Sequence, residues 1–287
     1  MTNEQYLFKM QQDMRLKNFT KNTCDDYYLF VRRFLEFTDK EVMAITYADI
    51  RTFIFHMQDT EKKKPSTINV YTAAIRFFFE YTLGYAWDSR KIPKMKRDRQ
   101  LPVILTREQV NLLIDSMENY KHKAIAATMY SSGLRVSEVC HLRYDDISRS
   151  RKMIHVPLSK NRQDRYTILS DHNLEILTEY WYRNNRPRGW LFPSSMRDEP
   201  LTTSAVELFF RKHVQALGLP EWVTPHTMRH CFACHMLEEG VSHTFIQQLL
   251  GHRSPASTDV YLQMTSKALM GIKSPFDTYR EGSHVSG

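Results

Sequence analysis

The sequence predicts a mainly α-helical chain with one small antiparallel β-sheet, an α+β arrangement divided into two helical regions. Three observations lead there. Apolar residues recur at intervals of three and four along most of the chain, the spacing that lines one face of a helix. Only two short runs, 153–157 and 165–169, have strand character, and the polar, basic stretch Ser159-Lys160-Asn161-Arg162-Gln163-Asp164 joins them as a hairpin would. Between residues 88 and 103 the periodicity stops, and six basic residues, two acidic residues and two prolines take its place.

Residues 1–87 read as helical throughout. Asn22-Thr23 starts a helix over 25–38 that aligns Tyr28, Val31, Phe34, Leu35 and Thr38. A second, over 47–58, aligns Ile50, Phe53, Ile54 and Met57. A third opens at Ser66, after Lys62-Lys63-Lys64-Pro65, and carries Ile68, Tyr71, Ile75, Phe78 and Phe79. These aromatics belong to a core. The cations among them, Lys62, Lys63, Lys64 and Arg76, are the better candidates for contact with a polyanion backbone. Segment 88–103 reads as a linker, since proline keeps its predecessor extended. Its Lys94, Lys96 and Arg97 suit a crossing over phosphates. The expected organisation is therefore a helical domain at 1–87, a basic linker at 88–103 and a second domain at 104–287.

The second domain opens with Thr106-Arg-Glu-Gln109, a capping box, and a helix running to Asn119. Another covers 121–131 and ends at Gly133. A further one begins within Gly133-Leu-Arg-Val-Ser-Glu138 and reaches Leu142. After the hairpin come helices over 171–184 and 202–217, then an amphipathic helix following His226. A short helix-capable piece follows Ser266, and the terminal EGSHVSG reads as frayed.

At 287 residues and 42% hydrophobic content the chain can bury a core, and its net charge of +8 favours polyanion partners, nucleic acid first. The opening MTNEQYLFKM has no apolar run of signal length, and no stretch approaches the roughly 18 apolar residues of a membrane span. Cys24, Cys140, Cys231 and Cys234 are scattered. A soluble, cytoplasmic chain in a reducing compartment, with free thiols and no membrane partner, is the expectation.

The chemistry-bearing residues end in the stretch 226–261. His226 and Arg229, three apart, share a face of one helical turn. His252 follows Gly251, and Tyr261 lies nine residues further on. Upstream, Arg135 follows Gly133, whose missing side chain would let backbone approach a ligand, and Lys160 sits at the hairpin tip. Phosphodiester transfer through a tyrosine calls for these types. The phenol must lose its proton as it attacks. Planar guanidiniums hold non-bridging oxygens bidentately. Imidazole donates or moves a proton near neutral pH. A lysine on a hairpin can protonate the departing oxygen.

GLRVSE at 133–138, SKNRQDR at 159–165, HTMRH at 226–230 and LGHRSPASTDVY at 250–261 together resemble the tyrosine recombinase family of phage, Xer-type, integron and transposon enzymes. The motifs cover about 101–265 in the family's order, while the N-terminal helices resemble its SAM-like core-binding domain in kind. The resemblance implies a site-specific DNA recombinase that cuts and rejoins strands through a covalent 3′-phosphotyrosine. Arg135 and Arg229 would clamp the scissile phosphate, Lys160 would protonate the 5′-oxygen, His226 would move the tyrosine's proton, His252 would donate to a non-bridging oxygen, and Tyr261 would be the nucleophile. Arg162 and Arg165, beside Lys160, join the DNA-contact candidates. Double-stranded recombination sites, a homo-tetramer on DNA (monomer or dimer when free), and no cofactor, metal or ATP are implied. No GxxxxGK[ST] loop is present. Two departures stand out. Ser159 and Asn161 flank Lys160 where the family usually has glycine, and Cys231 and Cys234 replace small hydroxyl residues.

Cys231-Phe-Ala-Cys-His235 formally matches a CxxCH haem anchor, and with His226 and His230 it resembles a zinc set. One continuous helix spreads these side chains around its axis, so packed thiols are expected instead. A relaxing topoisomerase and a DNA-binding regulator with a dead site are the alternative functions. The full set of catalytic types disfavours the regulator. A tail beyond Tyr261, able to pack on a neighbouring protomer, favours recombination.

Overall fold

The computed structural model describes residues 1–96, 103–157, 164–186, 188–195 and 199–251. The chain separates into two units, Met1–Arg99 and Gln100–Gly287. Among the described residues, no helix is long and apolar enough to cross a membrane.

In the first unit, threonines start three of the helices. Thr2 and Gln5 form a capping box for α1 (Asn3–Leu16), Thr20 caps α2 (Lys21–Thr38), and Thr46 with Asp49 opens α3 (Tyr47–Phe55). Pro65 occupies the first turn of α4 (Pro65–Phe77), where its missing N–H costs nothing. Thr20, rather than Asn22-Thr23, sets the start of α2, so that helix begins four residues before the expected 25–38. Helices α3 and α4 each leave through one wider π turn, His56–Thr60 and Phe78–Thr82. Val31, Phe34, Phe53, Ile50, Ile75 and Phe78 form the core, and α1 closes it with Leu7, Met10 and Met14. Lys9 Nζ donates to the Thr82 carbonyl at 2.6 Å, and the Thr82 hydroxyl to Asp13 at 3.0 Å, so α1 is also tied to the second π turn.

The segment expected as a linker starts as part of this unit. Ile92 is buried, and Asn69 exchanges two 3.0 Å hydrogen bonds with the backbone of Met95. A buried amide that supplies both a donor and an acceptor binds an irregular strand much as a sheet neighbour would.

The second unit is built around α6 (Tyr120–Ser132), in which Ala124 to Met129 are all buried. Its alanines let α8 (Asp171–Arg183) and α10 (Pro225–Glu238) pack closely. The expected capping box of Thr106 and Gln109 opens α5 (Arg107–Asp115). This helix stops short of Asn119 because the Asn119 side chain caps α6, accepting from the N–H groups of Lys121 and His122. Then come α7 (Val136–Cys140) and three antiparallel strands in the order β1-β2-β3: β1 (Ile147–Ser148), β2 (Met153–Val156) and β3 (Arg165–Ile168). The register pairs Ile147 with Ile154, Ile154 with Thr167 and Val156 with Arg165. The two-residue β1 is too short to show alternation in the sequence. The buried Thr167 hydroxyl donates to the Ser132 carbonyl at 2.7 Å, pinning the sheet to the end of α6. Helices α9 (Thr203–Ala216) and α11 (His243–Leu250) complete the unit.

Gly133 ends α6 in the left-handed region at φ +63°. A Cβ there would lie 2.4 Å and 2.6 Å from the Phe232 ring and 2.9 Å from Leu250. The space beside this glycine is therefore filled by protein side chains, which corrects the expectation that it admits a ligand. Gly133→Ala combines left-handed strain with overpacking and should destabilise the unit by about 2–4 kcal/mol. Equilibrium urea unfolding reads this directly; a loss under about 0.5 kcal/mol would contradict the packing described.

Candidate active site

The turn after Gly133 places Arg135 at the N-cap of α7 with extended backbone (φ −73°, ψ 152°) and Glu138 at its third position. One Glu138 oxygen accepts the Arg135 N–H at 2.8 Å, and the other accepts Arg135 Nη1 at 2.7 Å. Arg165, the first residue of β3, forks onto the same carboxylate with Nη1 and Nη2 at 2.9 Å and 2.8 Å. Arg229, one helical turn after His226 on α10, brings Nη1 to 3.7 Å from it. Arg229 Nη1 also donates to the Gly133 carbonyl at 2.7 Å, and Nη2 to the Leu250 carbonyl at 2.6 Å. One buried carboxylate thus sits among three guanidiniums.

Their exposures differ. The Glu138 side chain is 4% exposed, Arg229 1%, Arg165 8% and Arg135 21%. Arg135 is therefore the cation most open to an incoming anion. Burial pushes the Glu138 carboxyl up, but the hydrogen bonds and charge of Arg165, then the backbone N–H and charge of Arg135, outweigh it and bring it down to about 2. The carboxylate stays ionised and orients the arginines.

Thr224 and Pro225 start α10, which places His226 in its first turn. Its imidazole is held below the ordinary value by lost hydration, then by the charges of Arg229 and Arg135. His230, edge-to-face with it at 4.5 Å, is pushed down to about 4 by burial, then by His226 and Arg229. Both imidazoles are thus held in the neutral form beside the cationic cluster.

The structure brings Arg135, His226 and Arg229 together. Arg165, expected among the DNA contacts, instead turns inward, because Glu138 and the Leu249 carbonyl engage its guanidinium. Lys62, Lys63, Lys64, Lys94 and Lys96 are exposed. Arg76 is exposed and paired with Glu80 one turn along α4. Lys160, Arg162, His252, Tyr261 and Arg97 lie outside the described residues. Cys231 and Cys234 are buried thiols outside any disulfide, pushed up by burial to about 11 and about 12, and His235 Nδ1 lies 2.9 Å from the Tyr130 hydroxyl. Among the described residues, no three His, Cys, Asp or Glu side chains are grouped to hold a metal. The hub role of Glu138 toward Arg165 and Arg229 had no signal in the sequence; its spacing from Arg135 did.

Glu138 is depressed from its ordinary 4.5 to about 2, so its stabilisation is present above pH 4.5 and lost as pH falls toward 2. That shift corresponds to roughly 3 kcal/mol. Glu138→Gln should cost on the order of 3 kcal/mol at pH 7, leaving buried guanidiniums uncompensated. The gap between variant and parent in urea melts should narrow as the pH is lowered; an equal gap at pH 7 and pH 3 would contradict the ionised hub.

Residues 104–267 match the Phage integrase family, and residues 7–89 match the phage integrase N-terminal SAM-like domain. The chain is 38% identical over 270 residues to y4qK of Sinorhizobium fredii, named as an integrase/recombinase, covering 94% of this chain and 87% of that protein. It is 30% identical over 258 residues to the tyrosine recombinase XerA of Pyrococcus horikoshii, covering 89% and 88%. The fold matches the Tn1549 transposon integrase in complex with transposon right end DNA, with a TM-score of 0.70 at 17% identity over 100% of both chains. It also matches the XerH site-specific recombinase bound to its palindromic difH substrate, with a TM-score of 0.71 at 18% identity over 86% of this chain and 77% of that one. With family matches over both halves and this level of identity, the chain belongs to the phage integrase family of tyrosine recombinases, enzymes of site-specific DNA recombination.

Proposed function

We propose that this chain cleaves and rejoins double-stranded DNA at defined sites through a covalent 3′-phosphotyrosine at Tyr261. The observation that carries the reading is the convergence of Arg135 and Arg229 on Glu138, with His226 one turn before Arg229 on α10 and beside both guanidiniums, next to the end of the helix that leads into His252. The Tyr261 oxygen attacks phosphorus as His226 takes its proton. The bond from phosphorus to the 5′-oxygen breaks, and Lys160 supplies the proton to that oxygen. Arg135, Arg229 and His252 hold the non-bridging oxygens and stabilise the charge that grows on them. A 5′-hydroxyl of a partner strand then attacks the phosphotyrosine and releases Tyr261. One phosphodiester replaces another, so no ATP is required, and the arginines, His226, His252 and Lys160 do the charge stabilisation and proton transfer that a metal ion would otherwise supply. Lys62, Lys63, Lys64, Lys94, Lys96 and Arg97 would neutralise backbone phosphates, with a tetramer of chains holding two sites.

A suicide substrate nicked beside the cleavage point traps the adduct, because the released fragment diffuses away. Tyr261→Phe should abolish the adduct and leave DNA affinity within about three-fold. Persistence of the adduct in that variant would sink the nucleophile assignment. Adduct formation should also proceed at an unchanged rate in excess EDTA; a large loss would refute the metal-free mechanism. Exchange of strands between two sites, as opposed to loss of supercoils alone, separates recombination from topoisomerase activity.

A further inference from the structure

No step of the proposed reaction uses Arg165, yet its side chain is among the most fully engaged in the second unit. Its Nη1 and Nη2 meet both oxygens of Glu138, and its Nε donates to the Leu249 carbonyl at 2.8 Å. Arg229 does the matching thing one residue on, at the Leu250 carbonyl. The last carbonyls of a helix lack intrahelical donors and lie at its negative end. Two guanidiniums on consecutive carbonyls therefore clamp the end of α11. Gly251 completes the contact. It is left-handed at φ +65°, and a Cβ there would stand 2.9 Å from Arg165 Cδ and 3.2 Å from its Nε.

The chain positions give this contact its meaning. Arg165 opens β3, pairs with Val156 of β2, and follows Lys160 by five residues. Gly251 immediately precedes His252, and Tyr261 follows it by ten. One side chain therefore joins the strand leaving the Lys160 hairpin to the helix end that leads into the His252 and Tyr261 segment.

We propose that Arg165 is a positioning residue that locks the end of α11 to β3, so that the Tyr261 arm is held in register with the arginine cluster. The proposal rests on the reading of Tyr261 as nucleophile. Lysine cannot replace it: an ammonium can meet Glu138 as a point charge, but it lacks the planar fork and the separate Nε donor that reach the carboxylate and the carbonyl together. Misplacement of a reacting group by about 1 Å costs on the order of 100-fold in rate.

The test uses the full chain carrying Arg165→Lys or Arg165→Gln. Single-turnover adduct formation is measured on two suicide substrates, one with the normal 5′-oxygen and one with sulfur in its place. A thiolate leaves without being protonated, so the sulfur substrate removes the need for Lys160. DNA affinity, thermal midpoint and amide exchange of the peptide spanning 245–261 are recorded in parallel. Arg165→Lys should stay folded and bind DNA within about three-fold of the parent. It should form adduct about 100-fold more slowly on both substrates and exchange faster in 245–261. Lys160→Ala, by contrast, should recover on the sulfur substrate. Parental rates in Arg165→Lys would overturn the proposal. So would recovery of that variant on sulfur, which would confine Arg165 to the leaving-group side, or a loss of DNA affinity as large as the loss of rate, which would make it a phosphate contact. If Arg165→Gln fails to fold, Arg165→Lys, which keeps the charge beside Glu138, carries the test. If Tyr261→Phe keeps its adduct, the nucleophile reading fails by itself. The exchange measurement, which needs no chemistry, still decides whether Arg165 holds α11.

Discussion

The pairing of Glu138 with three guanidiniums is the constraint on which the second unit depends. Burying a single ionised group costs several kcal/mol, and two unit charges about 4 Å apart repel or attract by about 4 kcal/mol at an effective dielectric near 20. Arg229, Arg165 and Glu138 are all nearly removed from water. Each is tolerable only because the others are in place. Without the carboxylate the cations repel one another; without the cations the carboxylate takes up a proton and ceases to orient anything. The cluster is therefore assembled as a set or not at all.

The surrounding backbone is shaped to deliver these four side chains. Helix α6 must stop in a left-handed residue so that Arg135 can cap α7 and Glu138 can face inward, and Gly133 meets that need while its carbonyl accepts from Arg229. Strand β3 must lie at the end of α6, and the Thr167 to Ser132 hydrogen bond holds it there with Arg165 at its start. Helix α11 must end with open carbonyls facing both arginines, which its left-handed Gly251 permits. Packing, capping and charge thus converge on the same few ångströms, as expected of a sequence whose levels agree.

Much of the fold was legible because it follows from local rules. The capping box at Thr106, the periodic faces of α2 and α3, and the strand pair around the hairpin all lie within reach of a few residues. Within the site, the three-residue spacing of Arg135 and Glu138 was equally local. What was not legible required distant elements to meet. Arg165 looks like any other cation in a basic hairpin until α7 and α11 arrive to bury it. Ile92 and Met95 sit in a stretch without period, and only the distant core that buries Ile92 and the Asn69 amide that meets the Met95 backbone reveal that they are held. The two-residue β1 is defined by its partner and not by any pattern of its own.

The charge of the cluster bears on why such a site accelerates the proposed reaction. Three guanidiniums and one carboxylate leave an excess of two positive charges. A phosphodiester carries one negative charge, and the five-coordinate species formed on attack by a tyrosinate carries two. Fixed positive charge beside the phosphate interacts more strongly with the doubly charged species than with the singly charged one, which is the condition for raising the rate of the chemical step. Because Glu138 and the helix carbonyls already hold the guanidiniums in place, no reorganisation is needed as that charge develops. The buried carboxylate, which seems at first to subtract from the positive field, is what fixes the field in position. With Arg165 facing inward and Arg135 the most exposed of the three, the excess is directed toward the open side of the cluster. In the proposed reaction, the same ion pairs that hold the second unit together would therefore also orient the guanidiniums offered to the phosphate.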